Sequence, residues 1–306
     1  MIAPARSEPS AELAGIAARD PGRARAYADR HGIPCVHESY AALMSDPGID
    51  LVYVATPPAF HAELALRALE AGKHVLVEKP FSMSADEAAE VAGAARAKDL
   101  FVAEAMHSRH HPLFSRLAEI LRSGILGDIK SVSGVFLAAI PRNPDEFRWK
   151  RDLGGGALMD LGVYPLAWLR DLLGGEPEVV SAHAEIVGDV DASIEAELRF
   201  PSDIVGHVRA AMNAERFAAS LTVDGAQGSL TVTNPLVPQL GHEIRYGRDN
   251  KWRTESVAGP TTFAAQLAAV CATVRGKRAF PLGADDYVRS MAAIDAVRSK
   301  STNEFS

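Results

Sequence analysis

Residues 53–80 read YVATPPAFHAELALRALEAGKHVLVEKP, and this stretch holds a strand, a helix and a second strand in immediate succession. The first strand, DLVYVAT at 50–56, breaks at a Thr-Pro-Pro turn, and HVLVEK at 74–79 breaks at Pro80. Between them, residues from about Ala59 to Ala71 repeat apolar positions at helical spacing. Both strands are apolar on consecutive residues rather than alternate ones, as expected when a strand is covered on both faces. Two such strands joined by a helix imply a parallel sheet with helices packed on it.

The same alternation continues on either side. Upstream, ELAGIAAR at 12–19 reads as a strand, and DPGRARAYADRHG as a helix with Asp20 at its cap and Pro21 at its first position. A brief strand at Cys35–Val36 and a helix over SYAALMSDP follow. Downstream, SADEAAEVAGAARAKD predicts a helix and LFVAEA at 100–105 a strand. The pattern is that of an α/β fold with a doubly wound parallel, Rossmann-type sheet. Past residue 108 one helix, 112–124, gives way to strands at 129–139, 178–188, 193–200, 203–212, 218–224, 228–233 and 242–247. Only 154–174 and the last fifty residues read as helix there. Consecutive strands without helices between them predict a C-terminal α+β domain with an open, mainly antiparallel sheet. The division is placed at 1–108 and 109–306.

The 306 residues are 47% hydrophobic and 23% charged, enough for two cores. A formal charge of -7 without any basic run argues against a nucleic-acid partner, whose phosphates are held by clustered Lys and Arg. Cys35 and Cys271 stand alone and are expected to be reduced thiols. No stretch approaches the roughly 20 apolar residues of a membrane span, so the expectation is a cytoplasmic protein without a membrane partner.

The opening of the chain departs from the pattern. A doubly wound dinucleotide domain begins with a strand and a G-x-G-x-x-G/A turn, whose glycines admit the pyrophosphate to a helix N-terminus. Here Met1-Ile2-Ala3 corresponds to the tail of that turn, with Ala3 in the third glycine place. About ten residues, one strand and two glycines, are missing by that alignment. The expectations are a natural chain that starts further upstream and two strands left unpaired around the gap.

The pieces AARDPGRARAYADRHG, YVATPPAFHAELALRALEAGKHVLVEKP, EAMHSRHHP and GGGALMDLGVYPLAWLRDLLG follow one another across nearly the whole chain. In this order and spacing they resemble the glucose–fructose oxidoreductase, inositol dehydrogenase and rhizopine-catabolism (Gfo/Idh/MocA) family, nearest its trans-dihydrodiol and D-xylose dehydrogenases. The resemblance implies hydride transfer between a secondary alcohol of a sugar, cyclitol or dihydrodiol and NADP or NAD. It implies that Lys79 of the Glu78-Lys79-Pro80 turn handles the hydroxyl proton, its pKa lowered beside a bound nicotinamide. The family's later D-x-G-x-H pattern reads Asp160-Leu161-Gly162-Val163-Tyr164, so Tyr164 takes the acid/base place with its pKa lowered by Lys79, and Asp160 orients both. Two alternatives stay open: a non-catalytic ligand-binding or scaffold protein of the same fold, and an NAD-assisted glycosidase.

For the dinucleotide, the expected contacts are Ala3, Arg19, Thr56, Pro57, His61, Glu78 and Lys79. Arg19 closes the strand that reads the ribose, and an arginine there suits a 2′-phosphate, which favours NADP over NAD. Arg148, Trp149, Glu104 and His107 are the candidates for holding a polyol or sugar substrate, with Arg109 close by. His107, His110 and His111 lack a further ligand set, so no metal is expected. An antiparallel sheet with an exposed face predicts a homo-dimer or homo-tetramer.

Overall fold

The computed structural model describes residues 1–305. Local capping starts the N-terminal helices where the sequence places them. The Asp20 carboxylate accepts from the backbone N–H of Gly22 at 2.8 Å and of Arg23 at 3.2 Å, opening α2 (Pro21–His31) after the short helix α1 (Ile2–Ser7). Ser39 and Ser84 do the same for α3 (Tyr40–Ser45) and, beyond α4 (His61–Glu70), for α5 (Ala85–Ala97).

The parallel strands fall into two sheets. β1 (Gly15–Ile16) pairs only with β2 (Cys35–Val36), while β3 (Leu51–Val54), β4 (His74–Val77) and β5 (Val102–Glu104) form the second sheet in that order. No strand among the described residues joins the two. ELAGIAAR therefore yields two strand residues rather than eight, because its inner edge has no neighbour to bond. α1 occupies the place read as the end of the glycine turn.

After α6 (Pro112–Arg122) the chain builds a nine-stranded sheet from β6 (Ile129–Ala139), β7 (Glu178–Val187), β8 (Val190–Phe200), β9 (Ile204–Ala211), β10 (Asn213–Gly225), β11 (Ser229–Thr233), β12 (Glu243–Arg248), β13 (Lys251–Glu255) and β14 (Ser301–Phe305). Their order is β13-β12-β11-β10-β6-β9-β8-β7-β14, antiparallel throughout except at β6/β9 and β7/β14. Burial alternates along β8, so one face meets the core and the other does not. β13 and β14 were not anticipated: KWRTE and STNEF carry almost no apolar alternation.

α7 (Val163–Leu173) lies on the inner face of this sheet, α9 (Ala284–Lys300) packs beside it against β7, and α8 (Thr262–Val274) packs against the turn at His107–His110 and α1. Trp168 of α7 is fully buried. A Cβ on Gly134 of β6 would stand 2.7 Å from Pro165 Cβ and 2.9 Å from Leu169 Cδ1, so helix and strand touch only because residue 134 has no side chain. Gly134→Val is expected to destabilise the fold by about 1–3 kcal/mol through overpacking, read as a lower midpoint in chemical denaturation. An unchanged midpoint would show that α7 is not seated as described.

Candidate active site

The carboxyl ends of β3, β4 and β5 come out side by side, with Val54 opposite Val77 and Val77 opposite Glu104. Each strand thus delivers its following turn to one cleft edge, as the geometry of open parallel sheets requires. β3 delivers Thr56-Pro57-Pro58, β4 delivers Glu78-Lys79-Pro80, and β5 delivers the turn at His107–His110. His61, fully buried, ties the first two: its Nδ1 faces Pro80 O at 2.8 Å and its Nε2 faces Thr56 O at 2.7 Å. Glu78 is bonded to the Tyr53 hydroxyl and accepts from the Lys79 backbone N–H. The third element is the glycine loop before α7, whose Gly154 (φ +81°) would place a Cβ 2.6 Å from Pro58 Cβ. Only glycine allows that approach.

Lys79 Nζ donates to Asp160 Oδ1 at 2.5 Å and to Asp160 O at 2.6 Å, and it lies 5.2 Å from the centre of the Tyr164 ring. The two residues expected to share proton handling therefore meet, although they are separated by 85 positions in sequence (164 − 79). Asp160 Oδ2 faces Arg148 Nε at 2.8 Å, and Arg148 Nη1 donates to Glu146 Oε1 at 2.9 Å. Burial pushes the Asp160 carboxyl up, but the Lys79 and Arg148 charges outweigh it and hold Asp160 below the usual carboxylate range.

Asp160 sits in a π-helical turn, Leu158–Gly162, that runs into α7. Such turns are uncommon and re-aim side chains at functional sites. Asp191 of β8 starts it by accepting from the Leu158 N–H at 2.6 Å, and a Cβ on Gly156 (φ +119°) would fall 2.1 Å from Asp191 Oδ1. Burial raises the Asp191 carboxyl to about 6, although the Leu158 N–H lowers it. Sequence reading missed Asp191, because it sits in the polar phase of VDASIEAELRF with Ser193, Glu195 and Glu197, where an acidic residue is what the alternation expects.

Tyr164 is buried, and its hydroxyl lies 3.3 Å from His107 Nε2, whose other nitrogen is 2.9 Å from Thr262 Oγ1. Burial raises the phenol well above its ordinary value, and the Glu78, Asp160 and Glu104 charges raise it further. The expected lowering by Lys79 does not occur, because that ammonium is paired with Asp160 and lies over the ring face. Burial, together with the charge of Lys79, lowers His107 to about 4, so the ring is neutral at pH 7. His107 thus stands behind Tyr164 rather than in the open cleft.

Glu104 is also not in the cleft: it is 1% exposed and its Oε1 accepts from the Phe81 N–H at 3.0 Å. It holds the segment two residues beyond Lys79 and is out of a substrate's reach. Behind it, Arg109 makes a two-pronged bond to Asp171 (2.7 and 2.9 Å) and approaches Asp286 at 3.3 Å, while Arg170 bridges Glu176 and Asp286. Trp149 donates its indole N–H to Ile140 O at 3.3 Å and carries Arg142, not Arg148, over its ring. Arg19 follows β1, exposed and without a carboxylate partner among the described residues, and Ala3 is an exposed residue of α1. His110 packs on Phe280 and His111 caps α6, so the three histidines point to different neighbours.

Burial pushes the Glu104 carboxyl up to about 7 even though Arg109 pulls it down. The folded chain holds this proton more tightly than the unfolded chain, where a glutamate titrates near 4.5. Its stabilising contribution is full below the unfolded value and is lost as pH rises through about 7. Glu104→Gln, which keeps an acceptor for Phe81, is expected to flatten the fall in Tm between pH 5 and 8. Parallel Tm profiles for the two proteins would overturn that assignment.

Residues 1–106 match the family described as an oxidoreductase family with an NAD-binding Rossmann fold, and residues 114–231 match the GFO/IDH/MocA C-terminal domain. The chain is 32% identical to D-xylose 1-dehydrogenase (NADP(+)) 2 of Haloferax volcanii, over 97% of this chain and 91% of that protein. It is 36% identical to the dTDP-3,4-didehydro-2,6-dideoxy-alpha-D-glucose 3-reductase of Streptomyces violaceoruber, over 77% and 69%. Among solved structures, a 3-ketoreductase from Actinomadura kijaniata in complex with NADP and TDP-benzene superposes with a TM-score of 0.93 at 27% identity, covering 100% of this chain and 94% of that one. With both of its halves matched and Lys79, Asp160 and Tyr164 gathered at the strand ends, the chain belongs to the Gfo/Idh/MocA family of NAD(P)-dependent oxidoreductases.

Proposed function

We propose that this protein interconverts a secondary alcohol and a ketone on a sugar, cyclitol or dihydrodiol, using NADP in preference to NAD. The observation that carries this reading is the meeting of Lys79, Asp160 and Tyr164 in one cleft at the carboxyl ends of β3–β5. The bound nicotinamide supplies or accepts the hydride. Thr56 Oγ1, buried and without a hydrogen-bond partner, suits a ligand hydroxyl or amide at that place. Thr56, Pro57, Glu78 and Lys79 would hold the nicotinamide end, with His61 fixing their two turns, and the unpaired Arg19 would face a ribose 2′-phosphate. Ala3 would border the diphosphate.

Tyr164 is a neutral phenol, so its O–H is the proton donor to a substrate oxygen in the reducing direction. Lys79, held by Asp160, presents an ammonium that stabilises negative charge growing on that oxygen. His107 accepts from Tyr164 in its resting position and keeps the hydroxyl aimed. Arg148 binds the substrate's further hydroxyls while fixing Asp160, and Trp149 walls the entrance. The functional division falls at 108/109. The protein acts in the cytoplasm as a homo-dimer or homo-tetramer, to which the exposed Phe217 of β10 and Trp252 of β13 contribute apolar surface. No helix among the described residues is long and apolar enough to cross a membrane.

Assayed by NADPH absorbance against a panel of ketoses, aldoses and cyclitols, Lys79→Met and Tyr164→Phe should each cut kcat/KM by about 10²–10⁴ while NADP affinity persists. Substantial activity in Lys79→Met would remove the proposal's centre. Arg19→Ala should raise the KM for NADP about tenfold and leave that for NAD nearly unchanged, since only the former carries the 2′-phosphate. Equal effects on both cofactors would place Arg19 elsewhere.

A further inference from the structure

Beside the proposed active site, the segment between β6 and the glycine loop encloses an open cleft of about 340 Å³, lined by Arg142, Asn143, Pro144, Glu146, Trp149 and Lys150. Its volume is in the range of clefts that take small molecules. We propose that this cleft holds the phosphate of an anionic substrate, so that the alcohol processed belongs to a phosphorylated or nucleotidyl sugar rather than a free one. The inference rests on the hydride-transfer reading for the role of the cleft, but not for its chemistry.

The charge arrangement carries the argument. Glu146 is the one carboxylate in the lining, and it is already engaged: its Oε1 accepts from Arg148 Nη1 at 2.9 Å and faces the Arg148 backbone N–H at 3.3 Å. From Arg148 the chain of ion pairs continues to Asp160 at 2.8 Å and to Lys79 at 2.5 Å. Arg142 and Lys150, by contrast, have no carboxylate partner among the described residues. Two unpaired cations therefore flank a cleft whose only acidic group is spoken for. A neutral polyol gains little from such a pair, whereas a phosphate accepts several charge-assisted hydrogen bonds from it.

The cleft is also preformed. Arg142 lies 5.0 Å from the centre of the Trp149 ring, and that ring is fixed by its N–H bond to Ile140 O at 3.3 Å. The cation is thus held in place without losing its outward donors, which reduces the entropy lost when an anion binds. Three ion pairs, Glu146–Arg148, Arg148–Asp160 and Asp160–Lys79, connect the cleft to the reactive lysine, so a ligand anchored here by phosphate lies next to the proposed active site. Because Arg142 is exposed, the attraction is screened by salt.

The test is equilibrium binding by calorimetry at low ionic strength, with and without NADP, using glucose, glucose 1-phosphate and thymidine diphosphate as probes. Both phosphate-bearing probes should bind more tightly than glucose in the presence of NADP, and added salt should weaken them. Arg142→Gln and Lys150→Gln should each cost about tenfold in affinity for the phosphate probes. Tighter binding of glucose 1-phosphate points to a sugar phosphate, and tighter binding of thymidine diphosphate to a nucleotidyl sugar. Phosphate probes that bind no better than glucose, that are displaced by NADP, or that are indifferent to both substitutions would overturn the proposal. Since no turnover is measured, an absence of reductase activity would refute the hydride-transfer reading and leave the binding result legible.

Discussion

The buried contact between Lys79 and Asp160 joins the two halves of the molecule at the cleft. One partner stands at the end of a parallel strand, the other in the turn that opens the helix lying under the nine-stranded sheet. Each charge is nearly removed from water, with side-chain exposures of 14% and 10%, so either one left alone would be expensive to bury. Neither the Glu78-Lys79-Pro80 turn nor the glycine loop can therefore move without the other. Arg148 shares the same carboxylate, which keeps the acid ionised and makes the cluster a chain rather than a pair.

Around that contact, three buried polar groups fix the backbone instead of facing the cleft. His61 spans the Thr56 and Pro80 carbonyls, Glu104 holds the Phe81 amide, and Asp191 holds the Leu158 amide. Glu104 and Asp191 satisfy amides, and His61 donates to one of its two carbonyls, where the chain leaves regular structure and such groups would otherwise be stranded. The glycines at 154 and 156 serve the same end by removing atoms, the first against Pro58 and the second against Asp191. Precision at Lys79, Asp160 and Tyr164 is thus produced one layer away from them.

The parallel strands and their helices were legible because burial on both faces leaves an unbroken apolar run, and because Asp20, Ser39 and Ser84 mark helix starts. The convergence of Lys79 with Tyr164 came from resemblance of motifs, and no periodicity in either segment could have given it. Glu104 and Asp191 look like ordinary carboxylates in sequence; their backbone partners lie in distant segments, Phe81 in one case and Leu158 in the other. β13 and β14 were invisible for a related reason. KWRTE and STNEF become strands by pairing with β12 and β7, not by an alternation of their own.

Ionisation in the cleft follows from the same burial, and its directions are consistent with one another. Removing water favours neutral forms: the Tyr164 phenol is raised, His107 is lowered to about 4, and Glu104 is raised to about 7. Asp160 and Arg148 go the other way, each held in its charged form by opposite charges that outweigh burial. At neutral pH the cleft consequently holds a protonated phenol, a neutral imidazole behind it and one carboxylate fixed between Lys79 and Arg148. That set is prepared to give a proton and to shelter an oxyanion, whereas taking a proton from an alcohol would first require the phenol to ionise against Glu78, Asp160 and Glu104. In the proposed reaction the resting phenol is therefore a proton donor, and for it to act as a base requires an additional positive charge near Tyr164.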